Sequence, residues 1–262
     1  MGMLKLKPRY QRHSVDEGVD YVEANFERAF VESEMDPAEA GLVMVDCWDR
    51  HPIVTHQQRA EVICRERIAP VAQACREAGV RVIHAPSPAQ ARMYPQWTKF
   101  ASDADIFGAP VEPPAWPPAE FRVKEGAPAQ FSKLPEPALK AWLDTELEGR
   151  CIVDCLEPQP DDFVIANGDQ LHRLCRHEGI VHLFYAGFAA NMCVPGRDYG
   201  MRAFQRRGYN LVLLRDCTSA IEAGSTYDAM ALTEAAILEV EMLLGFTLTS
   251  DELLAACEGA KA

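Results

Sequence analysis

The stretch at 181–208, V-H-L-F-Y-A-G-F-A-A-N-M-C-V-P-G-R-D-Y-G-M-R-A-F-Q-R-R-G, constrains the fold more than any other part of the chain. Its apolar run is too continuous for a strand with one face in water. It therefore reads as a strand covered on both faces of a parallel sheet. Gly187 ends that strand and a turn of small residues follows. Cys193 then stands where a helix begins, with Pro195 in the first turn, where proline is tolerated. A thiol at a helix start meets free backbone N–H groups and the positive end of the helix dipole, and both favour the thiolate. The plainer alternative is a buried cysteine that packs as a small hydrophobe.

Before this stretch, A-G-L-V-M-V is a compact strand that ends at Asp46. A carboxylate there lies on the edge where open α/β sheets place ligands; capping the next segment is an equal alternative. A helix over 56–79 follows, with Pro70 predicting a kink or break and Gly79 a C-terminal stop. V-R-V-I-H-A-P-S runs out at His84, D-D-F-V-I-A-N ends at Asn167 before a helix that Gly179 closes, and Y-N-L-V-L-L-R-D ends at Asp216. A long periodic helix, a short F-T-L-T strand and a final helix complete the chain. Strands alternating with helices give an α/β fold: three layers, with a doubly wound, mainly parallel sheet of five to six strands. Residues 1–40 read as an arm, helical around V-D-Y-V-E-A-N-F, that packs on the outside or on a partner subunit. The domain then covers 41–262, with a proline- and tryptophan-rich excursion at about 86–160. An irregular segment of that length is usually a lid or binding loop, here a cap supplying pocket walls.

The net charge of −13 argues against nucleic acid or an anionic membrane as a partner. No run has the length of a membrane span, and the start M-G-M-L-K-L-K-P lacks the apolar core of a signal peptide. Nine cysteines without C-x-x-C spacing suggest reduced thiols in a cytoplasmic protein.

Asp46 and Cys193 both fall at or just past the C-terminal ends of strands and can share one crevice. A thiol with a nearby carboxylate is a nucleophile with its proton acceptor. The order V-D46 … V-I-H84 … G-F-A-A-N-M-C193-V … R-A-F-Q-R-R-G-Y-N-L-V-L-L-R-D216 resembles the isochorismatase-like cysteine hydrolases, which include nicotinamidases and N-carbamoylsarcosine amidohydrolases. The likeness runs over about 41–244. It is nearest to a branch with W-D after the first acid, H-A-P-S after the second strand and N-M-C-V-x-G-R around the cysteine. The resemblance implies a cysteine-dependent hydrolase that cleaves a C–N bond of a small amide, imide or carbamoyl compound through a thioester. Cys193 would be the nucleophile, Asp46 the general acid/base, and the backbone N–H groups of Ala189 and Cys193 the oxyanion hole. It also implies a cis peptide between Phe188 and Ala189, and a homo-oligomer, dimer or tetramer. The substrate is a small molecule and no cofactor is expected.

The family's third catalytic residue is a lysine at the end of the third strand. That strand here ends at Asn167, and the nearest lysine motifs, at Lys124 and Lys133, lie in the excursion, one element too early. Asp49, His51 and His56 are spaced like metal ligands, but they follow the first strand where the family's metal ligands follow the second; no metal is expected. Trp48, His84 and Asn167 are candidate pocket residues. Arg197 and Arg202 are candidates for an anionic substrate group or for ion pairs. Two rival readings stand beside the amidohydrolase: a vinyl-ether hydrolase with no covalent step, and a catalytically silent binding protein on the same fold.

Overall fold

The computed structural model describes residues 2–101, 115–133 and 136–261. The chain divides into two compact units, Met1–Ala101 with Arg150–Ala262, and Ser102–Gly149. The described part of the smaller unit holds two short helices, Ala119–Val123 and Pro137–Thr145, around a 3-10 turn at Ala127–Phe131. Lys124 sits there with its ammonium 3.9 Å from the centre of the Phe121 ring. Of the expected cap, residues 102–114 and 134–135 lie outside the described residues.

In the larger unit the strands are β1 (Leu4–Leu6), β2 (Arg9–Gln11), β3 (Arg28–Phe30), β4 (Ser33–Met35), β5 (Ala40–Val45), β6 (Arg81–Ala85), β7 (Phe163–Val164), β8 (His182–Phe188), β9 (Asn210–Ser219) and β10 (Phe246–Leu248). Among the described residues, eight form one sheet in the order β3-β2-β10-β9-β8-β5-β6-β7. From β10 to β7 every pairing is parallel, while β2 and β3 add antiparallel at the edge. The expected five to six strands are this parallel part. The extra pair comes from the N-terminal residues, where the anticipated helix is only a 3-10 turn at Glu23–Asn25 followed by β3. A buried carboxylate holds that addition in place. Glu241 accepts from Arg9 at 2.7 Å, Arg28 at 2.9 Å and the Thr247 hydroxyl at 2.7 Å.

All six residues of β5 are buried, and their alternation builds the three layers. Leu42 and Met44 join one core with Ile68, Val71, Cys75 and Leu253. Val43 and Val45 join the other with Leu171, Leu174, Phe204 and Ile237. Helices Val54–Ile63 and Ala69–Ala78 with the final helix Ser250–Lys261 therefore cover one face, and Gly168–Glu178, Met201–Arg206 and Ala231–Glu239 the other. Pro70 does not break its helix. A π turn at Cys64–Ile68 precedes it, and the wider turn makes room for a ring that would strike the carbonyl four residues back. Gly79 and Gly179 do close their helices in the left-handed conformation.

Strand order reverses between β5 and β8: β6 and β7 extend the sheet on one side, β9 and β10 on the other. No crossover covers the strand ends at such a point, which leaves a crevice there. β8 approaches β5 closely at Gly187, where φ is +104° and an added Cβ would lie 2.0 Å from the Val45 carbonyl oxygen. Gly187→Ala is expected to destabilise the fold by about 3 kcal/mol or more, or to abolish soluble expression, because both the contact and the backbone angle oppose a side chain. Denaturant unfolding followed by circular dichroism checks this.

Candidate active site

Three segments meet at the β5–β8 crevice. Asp46 directly follows β5 and turns there with φ +48°, a conformation that aspartate tolerates better than most residues. The second segment is the elbow after β8. Its Phe188–Ala189 peptide is cis, as the resemblance implied. The Met192 and Val194 N–H groups both donate to the Ala189 carbonyl, at 3.0 and 3.2 Å, which curls the chain around that residue. Asn191 ties the elbow to the end of β9 by exchanging two 3.1 Å hydrogen bonds with the Ile221 backbone.

The third segment supplies a cation. The helix opened by Cys193 lasts only to Gly196, and Arg197 is extended, at φ −64° and ψ 159°. Its guanidinium therefore turns back to Asp46, with Nη2 at 3.0 Å and Nε at 3.4 Å from Oδ2, while Nη2 also donates to the Ser87 hydroxyl at 3.0 Å. The flanking residues hold the loop. Asp198 accepts from the Gly168 N–H, and buried Tyr199 donates to the Pro86 carbonyl while its own carbonyl accepts from Tyr185. The cation beside Asp46 is therefore an arginine from the loop after Cys193, not a lysine from the end of the third strand. Arg202 lies farther along and pairs with Glu239.

Electrostatics at the site run against a resting thiolate. Burial, with the Asp46 charge and its hydrogen bond next, pushes the Cys193 thiol up to about 11; Arg197 and the Ala189 backbone N–H act in the opposite direction. The helix-start argument fails because one turn of helix ends at Gly196 and the Asp46 charge acts on the sulfur more strongly than that of Arg197. Burial likewise raises Asp46 above the ordinary carboxylate range, against the lowering pull of Arg197 and Cys193. Proton donor and proton acceptor are thus both raised, in each case chiefly by burial. Arg150, whose guanidinium lies 3.3 Å from the centre of the Trp48 ring, adds a second positive charge that acts on both.

The thiol and carboxylate open into a pocket of about 100 Å³ walled by Trp48, His51, His56, Phe188, Met192 and Ile221. Among the described residues, those that line it belong to the larger unit. Of the three candidate pocket residues, Trp48 lines this pocket and the other two do not. His84 is buried away from the pocket, its Nε2 2.9 Å from Asp162, which also takes a bidentate contact from Arg76. Asn167 caps a helix by accepting from the Gln170 N–H at 2.8 Å. Both sit at strand ends one or two strands removed from the reversal, so strand-end position alone did not select them. Asp49 turns away to accept from the Cys151 N–H, and among the described residues no three His, Cys, Asp or Glu side chains converge as ligands of a metal.

The sequence model of the isochorismatase domain matches residues 40–242. The chain belongs to the isochorismatase family. It is an isochorismatase-like hydrolase, and solved structures similar to it agree in fold. A cysteine hydrolase from Pseudomonas syringae pv. phaseolicola is 17% identical over 86% of this chain and 95% of that one, with a TM-score of 0.57. An isochorismatase family protein from Burkholderia thailandensis is 20% identical over 84% and 96%, with a TM-score of 0.51. No curated protein matches the chain. Among the described residues no helix is long and apolar enough to cross a membrane.

Asp46→Asn tests the electrostatics. It removes the charge and the hydrogen bond that keep the proton on Cys193 while Arg197 remains, so the thiol's pKa falls. Iodoacetamide labelling of Cys193 at pH 8, read by peptide mass spectrometry, is expected to accelerate by roughly tenfold per pKa unit recovered. An unchanged rate would show that the carboxylate does not restrain the thiol.

Proposed function

We propose that the protein hydrolyses a C–N bond of a small amide, imide or carbamoyl compound, with Cys193 as nucleophile and Asp46 as its proton shuttle. The observation that carries this is the juxtaposition of the Cys193 thiol, the Asp46–Arg197 pair and the Ala189 N–H at the mouth of one small pocket.

On attack, the Cys193 proton passes to Asp46 as the sulfur bonds to the substrate carbonyl carbon. The oxyanion is held by the backbone N–H groups of Ala189 and Cys193. Asp46 then gives the proton to the departing nitrogen, the C–N bond breaks and a thioester remains. Water enters, Asp46 takes one of its protons, and the hydroxide carbon adduct collapses to release the acid and return a proton to the sulfur. A carboxylate with a raised pKa suits both directions of this transfer. Arg197 keeps the buried acid ionised and fixes its orientation. A guanidinium holds its own proton throughout, so the proton traffic rests on Asp46 alone. The nine cysteines are all free, which suits a reducing, cytoplasmic setting, and the family resemblance carries a homo-oligomer.

One observation favours the rival vinyl-ether hydrolase: the resting thiol is protonated, as a spectator cysteine would be. Cys193→Ala separates the two. On an amide and carbamoyl panel it is expected to lose turnover by at least about a thousandfold, and an acid-quenched wild-type reaction should carry the acyl mass on the Cys193 peptide. Undiminished turnover in Cys193→Ala would rule out the covalent route.

Arg197→Gln is expected to lower kcat/KM and to move its acid limb to higher pH. The direction follows from sign: Arg197 depresses the Asp46 pKa, so without it Asp46 stays protonated to higher pH and cannot accept the thiol proton. Arg197→Lys should recover part of the rate and return the limb toward its original position. A pH–rate profile of the three proteins checks this.

A further inference from the structure

Besides Asp46 Oδ1, two residues lining the pocket each carry a buried polar side-chain atom that lacks a partner within the protein. His56 is 3% exposed and its Nδ1 makes no hydrogen bond; the indole Nε1 of Trp48 is likewise buried and unpaired. Both residues line the same pocket as Cys193 and Asp46. Their polarities are opposite. His56 is held neutral by burial, by His51 and by Arg59, with its pKa pushed down to about 4, and its other ring nitrogen faces the Ala220 carbonyl. With the ring proton on that nitrogen, Nδ1 is left as a bare acceptor, whereas an indole N–H can only donate. An unpaired buried donor or acceptor costs free energy that a native structure seldom leaves uncompensated away from function. His51, the neighbouring polar wall, is already engaged, its Nδ1 accepting from the Ile53 N–H at 3.1 Å.

We propose that Trp48 and His56 form a donor–acceptor pair that selects substrates carrying an N–H and a second carbonyl beside the scissile carbonyl, the –CO–NH–CO– frame of an acylurea or imide. The substrate N–H donates to His56 Nδ1 and the second carbonyl accepts from Trp48 Nε1, while the scissile carbonyl oxygen remains for the Ala189 N–H. A plain amide of equal size fills the space and leaves both protein atoms unpaired, and a site built to hydrogen-bond rejects such analogues strongly. The remaining walls, Phe188, Met192 and Ile221 among them, are apolar and suit a small uncharged body. This pair deepens the hydrolytic role proposed above for Cys193 and rests on the same pocket being the substrate site.

Three compounds of nearly equal shape separate the contributions. Butanamide offers neither group, N-ethylurea replaces one methylene by N–H, and N-acetylurea adds the second carbonyl. Titration calorimetry on the intact Cys193→Ala chain reads binding without turnover, so its outcome is independent of whether the covalent route holds. Affinity is expected to rise by roughly tenfold at each step of the series. His56→Leu should erase the gap between butanamide and N-ethylurea, and Trp48→Phe, which keeps the ring and removes the N–H, the gap between N-ethylurea and N-acetylurea. Equal affinities for all three compounds, or no binding of N-acetylurea at 50 mM (about fivefold above a 10 mM Kd), would overturn the proposal. A gap that survives its variant removes that residue from the pair. If His56→Leu does not fold by circular dichroism, the ordering in the Cys193→Ala chain and the Trp48→Phe result still decide.

Discussion

The crevice depends on two strands meeting with no side chain between them. At Gly187, β8 passes so close to β5 that the Val45 carbonyl oxygen occupies the space a Cβ would need, and the Thr218 hydroxyl grips the Gly187 carbonyl at 2.6 Å from the other side. Because strand order reverses between these two strands, the chain leaving β5 and the chain leaving β8 diverge above the sheet. Asp46 and the Cys193 elbow are the first residues past those ends. Close backbone approach at the switch point thus sets the spacing between acid and thiol before any charge is considered.

Charge then decides their states. Asp46 is almost wholly buried and still ion-paired, and burying it alone would drive it neutral. Arg197 opposes that without being able to take the proton itself. The same carboxylate raises the neighbouring thiol, so the resting pair is thiol and carboxylate, with nucleophile formation tied to proton transfer at the moment of attack. Such a sulfur is also less exposed to oxidation than a standing thiolate, because susceptibility follows thiolate character.

Much of this was legible from residue order. The strand–helix alternation, the acid after the first strand, the elbow at Gly187 and the helix stops at Gly79 and Gly179 all follow from local preferences that tertiary contacts left intact. Other features were not legible. Pro70 predicted a kink or a break, and the wider π turn ahead of it, which accommodates the ring, has no sequence signature. His84 and Asn167 share the strand-end position of Asp46, yet one is absorbed by Asp162, itself held by Arg76, and the other by a helix N-terminus. Nor was it legible that the helix begun at Cys193 would stop at Gly196; the glycines at 196 and 200 that bracket the break were the available signal. Gly200 has no room for a side chain, a Cβ there coming within 2.7 Å of the Val194 carbonyl oxygen.

By itself the sequence determined the architecture and placed an acid and a thiol on one edge of the sheet, because periodicity and turn chemistry act between residues close in the chain. The tertiary structure alone decided what those two residues face. Asp46 and Arg197 are 151 positions apart, and their pairing depends on where a broken helix turns one side chain. The thiol's protonation, the exclusion of His84 and the unpaired atoms of Trp48 and His56 are likewise properties of burial and distance. Neither can be read from the order of residues, because Coulomb interaction and desolvation depend on separation in space.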